Sequence, residues 1–476
     1  MSDSCKTIVV IGAGISGLAC AWKLQSLLPD VKLLVLEKSD RAGGILQTHR
    51  ESEYLVELAA DMFTTEPDDA LQLCRQLGHA ADLLTTIPVE RRAFVATTRS
   101  IEPVPRGFSL MLPADHDAVR ATNILDAEGI KRLLSEVDIP PSPAREDEDF
   151  QSFVVRRFGQ QAFERLVQPL VSGIYTADPR RLSMNATMQR FVAMEREHGS
   201  LIAAARAAKD SSADRAASGA RYDLFRAPRD GMGSLVKWLV DAVDGVELRF
   251  NWPVDQVEPQ LNRRWKLCSS QANCEAIYAD AVVVASPVAS AAQMLSSVPG
   301  ALSNNLKGVK SASCAVVSLG FDVGQLLRPF DGYGIVVPAI LKRKLIAASF
   351  ASNKFHGRAP NNKVLVRCFI GGAMQGELVD LSDRQLVQLA LSELNQLIGI
   401  DGVPDLDLVV RWRNAMPQYH VGHLDRVAAI ETELHSFPTL AVAGNAYRGV
   451  GVPVCVRSGI QAAMEITQAI TETPKR

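Results

Sequence analysis

Gly12, Gly14 and Gly17 stand in GAGISG at the spacing of a dinucleotide-binding turn. The first glycine permits a tight turn, the second lets the backbone approach a pyrophosphate, and the third lets the next helix pack closely on a strand. Ala13, Ile15 and Ser16 share this loop and the helix N-terminus it opens, whose free N–H groups and dipole favour phosphate. Glu37 lies 20 residues after Gly17 and ends a second apolar run, VKLLVLE. A carboxylate there accepts hydrogen bonds from a ribose. Lys38, Arg41, Gly43, Gly44 and Ile45 follow in KSDRAGGIL. Strand, glycines, helix, strand and acid in this order specify dinucleotide binding, but NAD and FAD both use the unit.

The elements that must position these residues are legible from periodicity. Lys6 to Ile11, KTIVVI, is a β-branched run suited to a parallel strand buried on both faces. Residues 53–85 read as strand, loop and helix, with Thr65 or Asp68 as the cap and Pro67 near the first turn. Residues 90–110 form two short β-like runs about a polar turn, a hairpin. From about 110 to 200, Leu, Ile and Val recur at helical spacing, interrupted by Pro140, Pro141 and Pro143. Residues 203–221, rich in Ala, Ser and Arg, read as a surface linker or frayed helix end.

After residue 221, GMGSLVKWLVDAV predicts a helix, VELRFNWPVDQVE a strand pair, and ADAVVVASPVASAAQML a buried strand and helix. Residues 311–410 are mostly β-like, with an amphipathic helix from Ser382 to Ile398. TLAVAGNAYRGVGVPVCVRSGIQAAMEIT repeats strand, glycine loop and helix, so the chain returns to the nucleotide domain.

The 476 residues suffice for two or three domains. A net charge of -2 argues against nucleic acid as a partner, since phosphates call for a basic face. The eight cysteines include no CxxC pair and read as reduced, partly buried thiols, and no Cys/His spacing predicts a metal. No run of about 18 apolar residues predicts a transmembrane helix. The stretch Ile8–Trp22 holds the glycine motif, and its flanks, with Asp3 and Lys6, do not make a cleaved leader. The expected location is cytoplasmic.

The acid followed by an arginine and a glycine pair, Glu37 to Gly44, resembles the second fingerprint of flavin amine oxidases and implies FAD. Over nearly its full length the chain resembles the protoporphyrinogen oxidase family, oxygen-dependent flavoproteins of haem synthesis. Four segments carry the resemblance: IVVIGAGISGLACAWKL with LLVLEKSDRAGG, FERLVQPLVSGIYTADPRRLS, RNAMPQYHVGHLDRV, and GNAYRGVGVPVCVRSG. The second and third are absent from generic amine oxidases.

The implied fold is α/β. An FAD-binding doubly wound (Rossmann-like) domain would span 6–85, 222–300 and 411–472, and a mixed α+β substrate domain 86–109 and 301–410. A helical membrane-associated insertion, 110–221, would lie on a membrane without crossing it, placing the protein peripherally on the inner face of the cell membrane. Flavin contacts fall on Gly12 to Gly17, Glu37, Lys38, Arg41, Gly43, Gly44, Ile45, Ala59, Ala60, Asp61, Met62, Val254, Asn445, Val450, Gly451 and Val452. Two positions depart from the pattern: Ala59 stands where Gly is common, and Val454 where an acid or amide is usual.

The implied reaction takes six electrons from a porphyrinogen in three two-electron steps, by hydride transfer to flavin N5, and oxygen is reduced to hydrogen peroxide. The cofactor performs the difficult step, so no general base is nominated, and His420 and His423 read as structural. A flat apolar ring with propionates needs an apolar slot and a cation. The match for the cation is Arg92, with Arg91 one register away; slot positions are Tyr333, Gly334, Val336 and Phe369. Implied partners are the porphyrinogen, oxygen, a membrane surface, ferrochelatase and a second copy of the chain. The alternatives are a coproporphyrinogen III oxidase of the same fold, a flavin amine oxidase or carotenoid desaturase, and a non-catalytic porphyrin-binding flavoprotein.

Overall fold

A computed structural model of the protein describes residues 6–88, 92–142, 146–210, 224–261, 264–271 and 273–472. The chain opens with β1 (Thr7–Ile11), α1 (Ile15–Leu27) and β2 (Lys32–Leu36). A hairpin, β3 (Ala93–Ala96) and β4 (Ile101–Pro103), leads to helices that include α2 (Phe150–Phe158), α3 (Gln168–Tyr175) and α4 (Leu201–Asp210). Then come α5 (Gly233–Ala242), β5 (Glu247–Arg249) and β6 (Ala281–Val284). The long strands β7 (Lys310–Asp322), β8 (Gly334–Val336), β9 (Leu345–Phe350) and β10 (Lys363–Gly371) precede α6 (Asp383–Ile398) and β11 (Leu406–Gln418). The chain closes with α7 (His423–His435), β12 (Leu440–Val442) and α8 (Val452–Glu472).

Two sheets organise these elements. The first is parallel, in the order β5-β2-β1-β6-β12, so strands from both ends of the chain pair within it. Its central strands are buried on both faces, which their Val and Ile content requires. One face packs on α1, α5 and α8. The other is covered by an antiparallel meander, 256–279, and by helices that include α7. The second sheet runs β11-β7-β10-β9-β8-β3-β4. All its pairs are antiparallel except β8 with β3. Side chains of alternate parity, among them Val317, Ile335, Ala348 and Cys368, form a core against α6. That helix is started by Ser382 and Gln385 in a capping box.

Several expectations change. Glu247–Arg249 and Gln256–Pro259 do not pair with each other; the first joins the parallel sheet and the second the meander, because Trp252 and Val254 between them pack inward. Asp68 takes the N-cap position of the Asp69–Gln76 helix without capping it; its carboxylate bonds Gln72 Nε2 at 2.8 Å instead. Thr65 pairs in the backbone with Leu224, away from that helix end. The supposed linker begins as α4, with Leu201, Ile202, Ala204 and Ala205 buried; residues 211–221 lie outside the described residues. Glu136 explains α4. Its carboxylate accepts from the N–H groups of Leu201 (3.0 Å) and Ile202 (3.1 Å), so the cap comes from a distant segment. The boundary at 410/411 falls inside β11, which stays in the second sheet through Gln418.

Among the described residues no helix is long and apolar enough to cross a membrane, and no cluster could hold a metal. Cys20, Cys74, Cys268, Cys274, Cys314, Cys368 and Cys455 are free thiols.

Candidate functional site

The glycine turn sits at the carboxyl ends of β1 and β6, where ligands of parallel sheets bind. Gly12 adopts φ 104°, and a Cβ on it would lie 2.6 Å from the Ala285 carbonyl. A Cβ on Gly17 would lie 1.9 Å from the Gly12 carbonyl, so only glycine lets α1 begin there. Gly14, by contrast, faces open space. The Ala13 N–H donates to Glu37 Oε2 at 2.9 Å, and Ser39 donates to Oε1 from both N–H and Oγ. The acid therefore holds the phosphate loop and its own loop together. Arg41 folds back on the carbonyls of Ala42 (3.1 Å) and Gly44 (3.0 Å), and the Gly43 N–H reaches the Ala13 carbonyl at 2.7 Å. Lys38, Gly44 and Ile45 are exposed beside this cradle. Glu37 pairs in the backbone with Arg249 and Trp252, and Val254 packs on the cluster that contains Trp252.

The C-terminal loop closes on the same place. Ser16 Oγ donates to the Cys455 carbonyl at 2.8 Å, joining the first turns of α1 and α8. A Cβ on Gly459 would lie 2.1 Å from the Ser16 carbonyl. Tyr419 clamps this loop: its hydroxyl donates to the Asn445 carbonyl (2.6 Å) and accepts from the Gly449 N–H (2.8 Å). His423 stacks on Tyr419 with ring centroids 3.9 Å apart, and its Nε2 donates to the Tyr447 carbonyl at 2.8 Å. Burial lowers the His423 pKa. Stacking and a backbone hydrogen bond thus fix the ring of His423 against the loop. The Asn445 amide reaches the Ala415 carbonyl at 3.4 Å, and Val450, Gly451 and Val452 lead into α8. Burial pushes the Cys455 thiol up to about 12, so it is no nucleophile.

The 59–62 loop is held from the second sheet. Asp61 pairs with Lys354 Nζ at 3.0 Å and Arg367 Nη1 at 3.3 Å. Arg367 also bonds the Ala59 carbonyl, and Trp412 Nε1 donates to the Leu58 carbonyl at 2.7 Å. Burial opposes the Asp61 charge, but the two cations outweigh it and hold its pKa below the usual carboxylate range. Ala60 packs on the cluster that contains Ile15 and Val452; Ala59 and Met62 are half-buried.

Strand alternation then sorts the slot positions. Gly334, Val336 and Phe369 share the face opposite the α6 core, with Arg367, whose guanidinium lies 5.4 Å from the Phe369 ring centre. Tyr333 has the other parity; it is buried, with its hydroxyl on the Ile87 carbonyl. The structure thus unites three of the four slot residues. Arg92 lies beside Tyr333 through the backbone (2.7 Å), with an exposed side chain 3.4 Å from Asp331. Arg91 lies outside the described residues.

Sequence reasoning passed over Arg367, Lys354, Trp412, Tyr419 and Ser286. A cation inside the apolar run VLVRCFIGG was a usable signal for Arg367. Ser286 follows β6 beside Gly12, and its hydroxyl is buried with no partner among the described residues. That orphaned donor, the open space at Gly14 and Gly444, and the half-open 59–62 loop together fit a dinucleotide with a ring system.

A family model described as flavin containing amine oxidoreductase matches residues 15–467. Coproporphyrinogen III oxidase of Bacillus subtilis is 30% identical over 471 residues, covering 98% of each chain. The chloroplastic protoporphyrinogen oxidase of Nicotiana tabacum is 27% identical, over 96% of this chain and 85% of its own. A solved structure from Exiguobacterium sp., provisionally named a protoporphyrinogen oxidase, superposes with a TM-score of 0.86 at 28% identity, covering 98% of this chain and 100% of its own. Cyclohexylamine oxidase from Brevibacterium oxydans shares the fold alone, at a TM-score of 0.67 and 17% identity. The chain belongs to the family of flavin-containing amine oxidoreductases and is an FAD-dependent oxidase.

Proposed function

We propose that this oxidase converts protoporphyrinogen IX to protoporphyrin IX in haem biosynthesis. Six electrons leave in three steps, three molecules of oxygen are consumed, and three of hydrogen peroxide form. The observation that carries the reading is the sheet face of Gly334, Val336 and Phe369. It adjoins the loop at Ala59 and Asp61, and it belongs to a chain alike to porphyrinogen oxidases over its full length. FAD, when bound, supplies the two-electron acceptor that oxygen regenerates. The chain's own part is to orient a flat ring and exclude water. Asp61 is no general base, since Lys354 and Arg367 keep it ionised and occupied. Arg92 is the proposed propionate partner; the exposed Asp331 contact is weak enough to exchange.

Coproporphyrinogen III is the second reading, favoured by the relatives at 30%, 28% and 32% identity that carry that name. The two are separated by supplying each porphyrinogen to the holoenzyme and following porphyrin fluorescence with oxygen uptake. A rise with neither sinks both readings. R92A should raise KM several-fold with the flavin spectrum intact, and an unchanged KM removes Arg92 from the site.

The finer assignments belong to the same proposal. Ile174, Ile340 and Met374 are exposed on segments tied together through Gln168–Ala339 and Thr176–Ala373 hydrogen bonds. They offer an apolar face for a peripheral position on the inner side of the cell membrane. Ferrochelatase, which would consume the product, and a second copy of the chain are the proposed protein partners.

A further inference from the structure

The segments DPRRLS and QYHVGHLDR, distant in sequence, meet in a cavity of about 290 Å³ lined in part by His423, which stacks on Tyr419. That is the lower end of the range for small-molecule sites, roughly 300–1,000 Å³. Arg181, Lys310 and Arg426 line it, with His420 and His423. Among the described residues no carboxylate does. Among the described residues no ion pair engages Arg181 or Arg426.

The nearby acids stand behind the lining: Asp178 acts on Arg181 and His420 through space, and Asp425 lies in the first turn of α7. Asp147 accepts from Ser183 Oγ, Asn185 N and Gly422 N, and Asp178 pairs with Arg180 at 3.0 Å. Gln418, 4% exposed, also lines the cavity, and its Oε1 is buried without a partner among the described residues. The cavity includes the N-terminal end of α7, where Asp147 already accepts from the N-cap Gly422 N–H at 3.0 Å, so the positive charge of the lining comes from its side chains. Burial and the Arg181 charge lower the His420 pKa against the charge of Asp178, and burial and the Arg426 charge lower that of His423 against the charge of Asp147, so the lining cations outweigh the carboxylates behind them.

We infer that this cavity is an anion site for a phosphate group, separate from the flavin and porphyrinogen positions and independent of which substrate the oxidase takes. Arg181, Arg426 and Lys310 would neutralise its charge. Through His423 and Tyr419 the site touches the carbonyls of Tyr447 and Asn445, so occupancy would stiffen the loop that closes on the flavin.

The test is calorimetric titration of the holoenzyme with inorganic phosphate against chloride at matched ionic strength. Saturable phosphate heat, weakened at least tenfold in R181Q and in R426Q with unchanged flavin absorbance, supports the site. Should R426Q fail to fold, K310Q and R181Q, both altered at exposed side chains, carry the same expectation. Cosedimentation with phosphatidylglycerol vesicles names the source. Loss in the same variants places the phosphate on a lipid headgroup, whereas unchanged cosedimentation with lost phosphate heat places it on a soluble compound. Phosphate heat equal to chloride, with vesicle binding indifferent to the variants, overturns the inference.

Discussion

Gly17 has no room for even a methyl group, because the Gly12 carbonyl occupies the place of its Cβ. G17A should therefore displace the start of α1 and abolish the flavin absorbance of the purified protein; a variant that retains full FAD would show that the turn yields. Asp61 is legible in a different way. Its side chain is nearly buried between two cations, and breaking such a group by removing one partner costs about 3–5 kcal/mol. D61N should lower the melting temperature accordingly. Folding depresses the Asp61 pKa. Its stabilisation is thus fully present above its unfolded value of about 3.9, and is lost as pH falls below that toward the folded value. Acid unfolding curves of wild type and D61N should converge at low pH and diverge above it; parallel curves would count against the ionised triad. In the sequence Asp61 was assigned to the cofactor because of its loop. That its carboxylate is spent on Lys354 and Arg367 depends on residues some 300 positions away, and no local pattern carries that distance.

At the scale of elements, α4 shows what periodicity cannot supply. It opens the Ala-, Ser- and Arg-rich stretch 203–221 that reads as a linker, yet the Glu136 carboxylate caps it while bonding the fully buried Arg157. E136Q leaves buried Arg157 with only the longer Glu195 contact (3.4 Å) and removes one of the two carboxylate oxygens that cap α4. Limited proteolysis should then cut within 201–210 far faster than in the wild type, and equal cleavage rates would separate the helix from that pair. The opposite case is α6. Ser382 and Gln385 are local signals, and the predicted start coincides with the observed capping box. Local chemistry is visible in sequence when both partners lie within one helical turn. The strands at 247–249 and 256–259 illustrate the converse, for each is recognisable alone but the sheet it joins is set by packing.

At the scale of the molecule, the parallel sheet is assembled from both ends of the chain, and FAD would sit where β1, β6 and the loop before α8 converge. A ligand that binds only the assembled state stabilises it by mass action. Removal of FAD should therefore lower the melting temperature and reduce the cooperativity of unfolding, as read by calorimetry of holo- and apoprotein; an unchanged transition would mean that the two ends hold without it. The dinucleotide unit, the return of the chain and the family resemblance were all determined by the sequence. Glycine spacing, apolar periodicity and an acid at a strand end are short-range chemistry written in consecutive residues. Only the tertiary structure decided that Arg367 and Lys354 anchor the 59–62 loop. It alone tied the Tyr333 hydroxyl to the Ile87 carbonyl and gathered Arg181, Lys310 and Arg426 around one cavity. Those facts follow from strand register and domain packing, which arise from many long-range contacts at once and leave no mark at any single position.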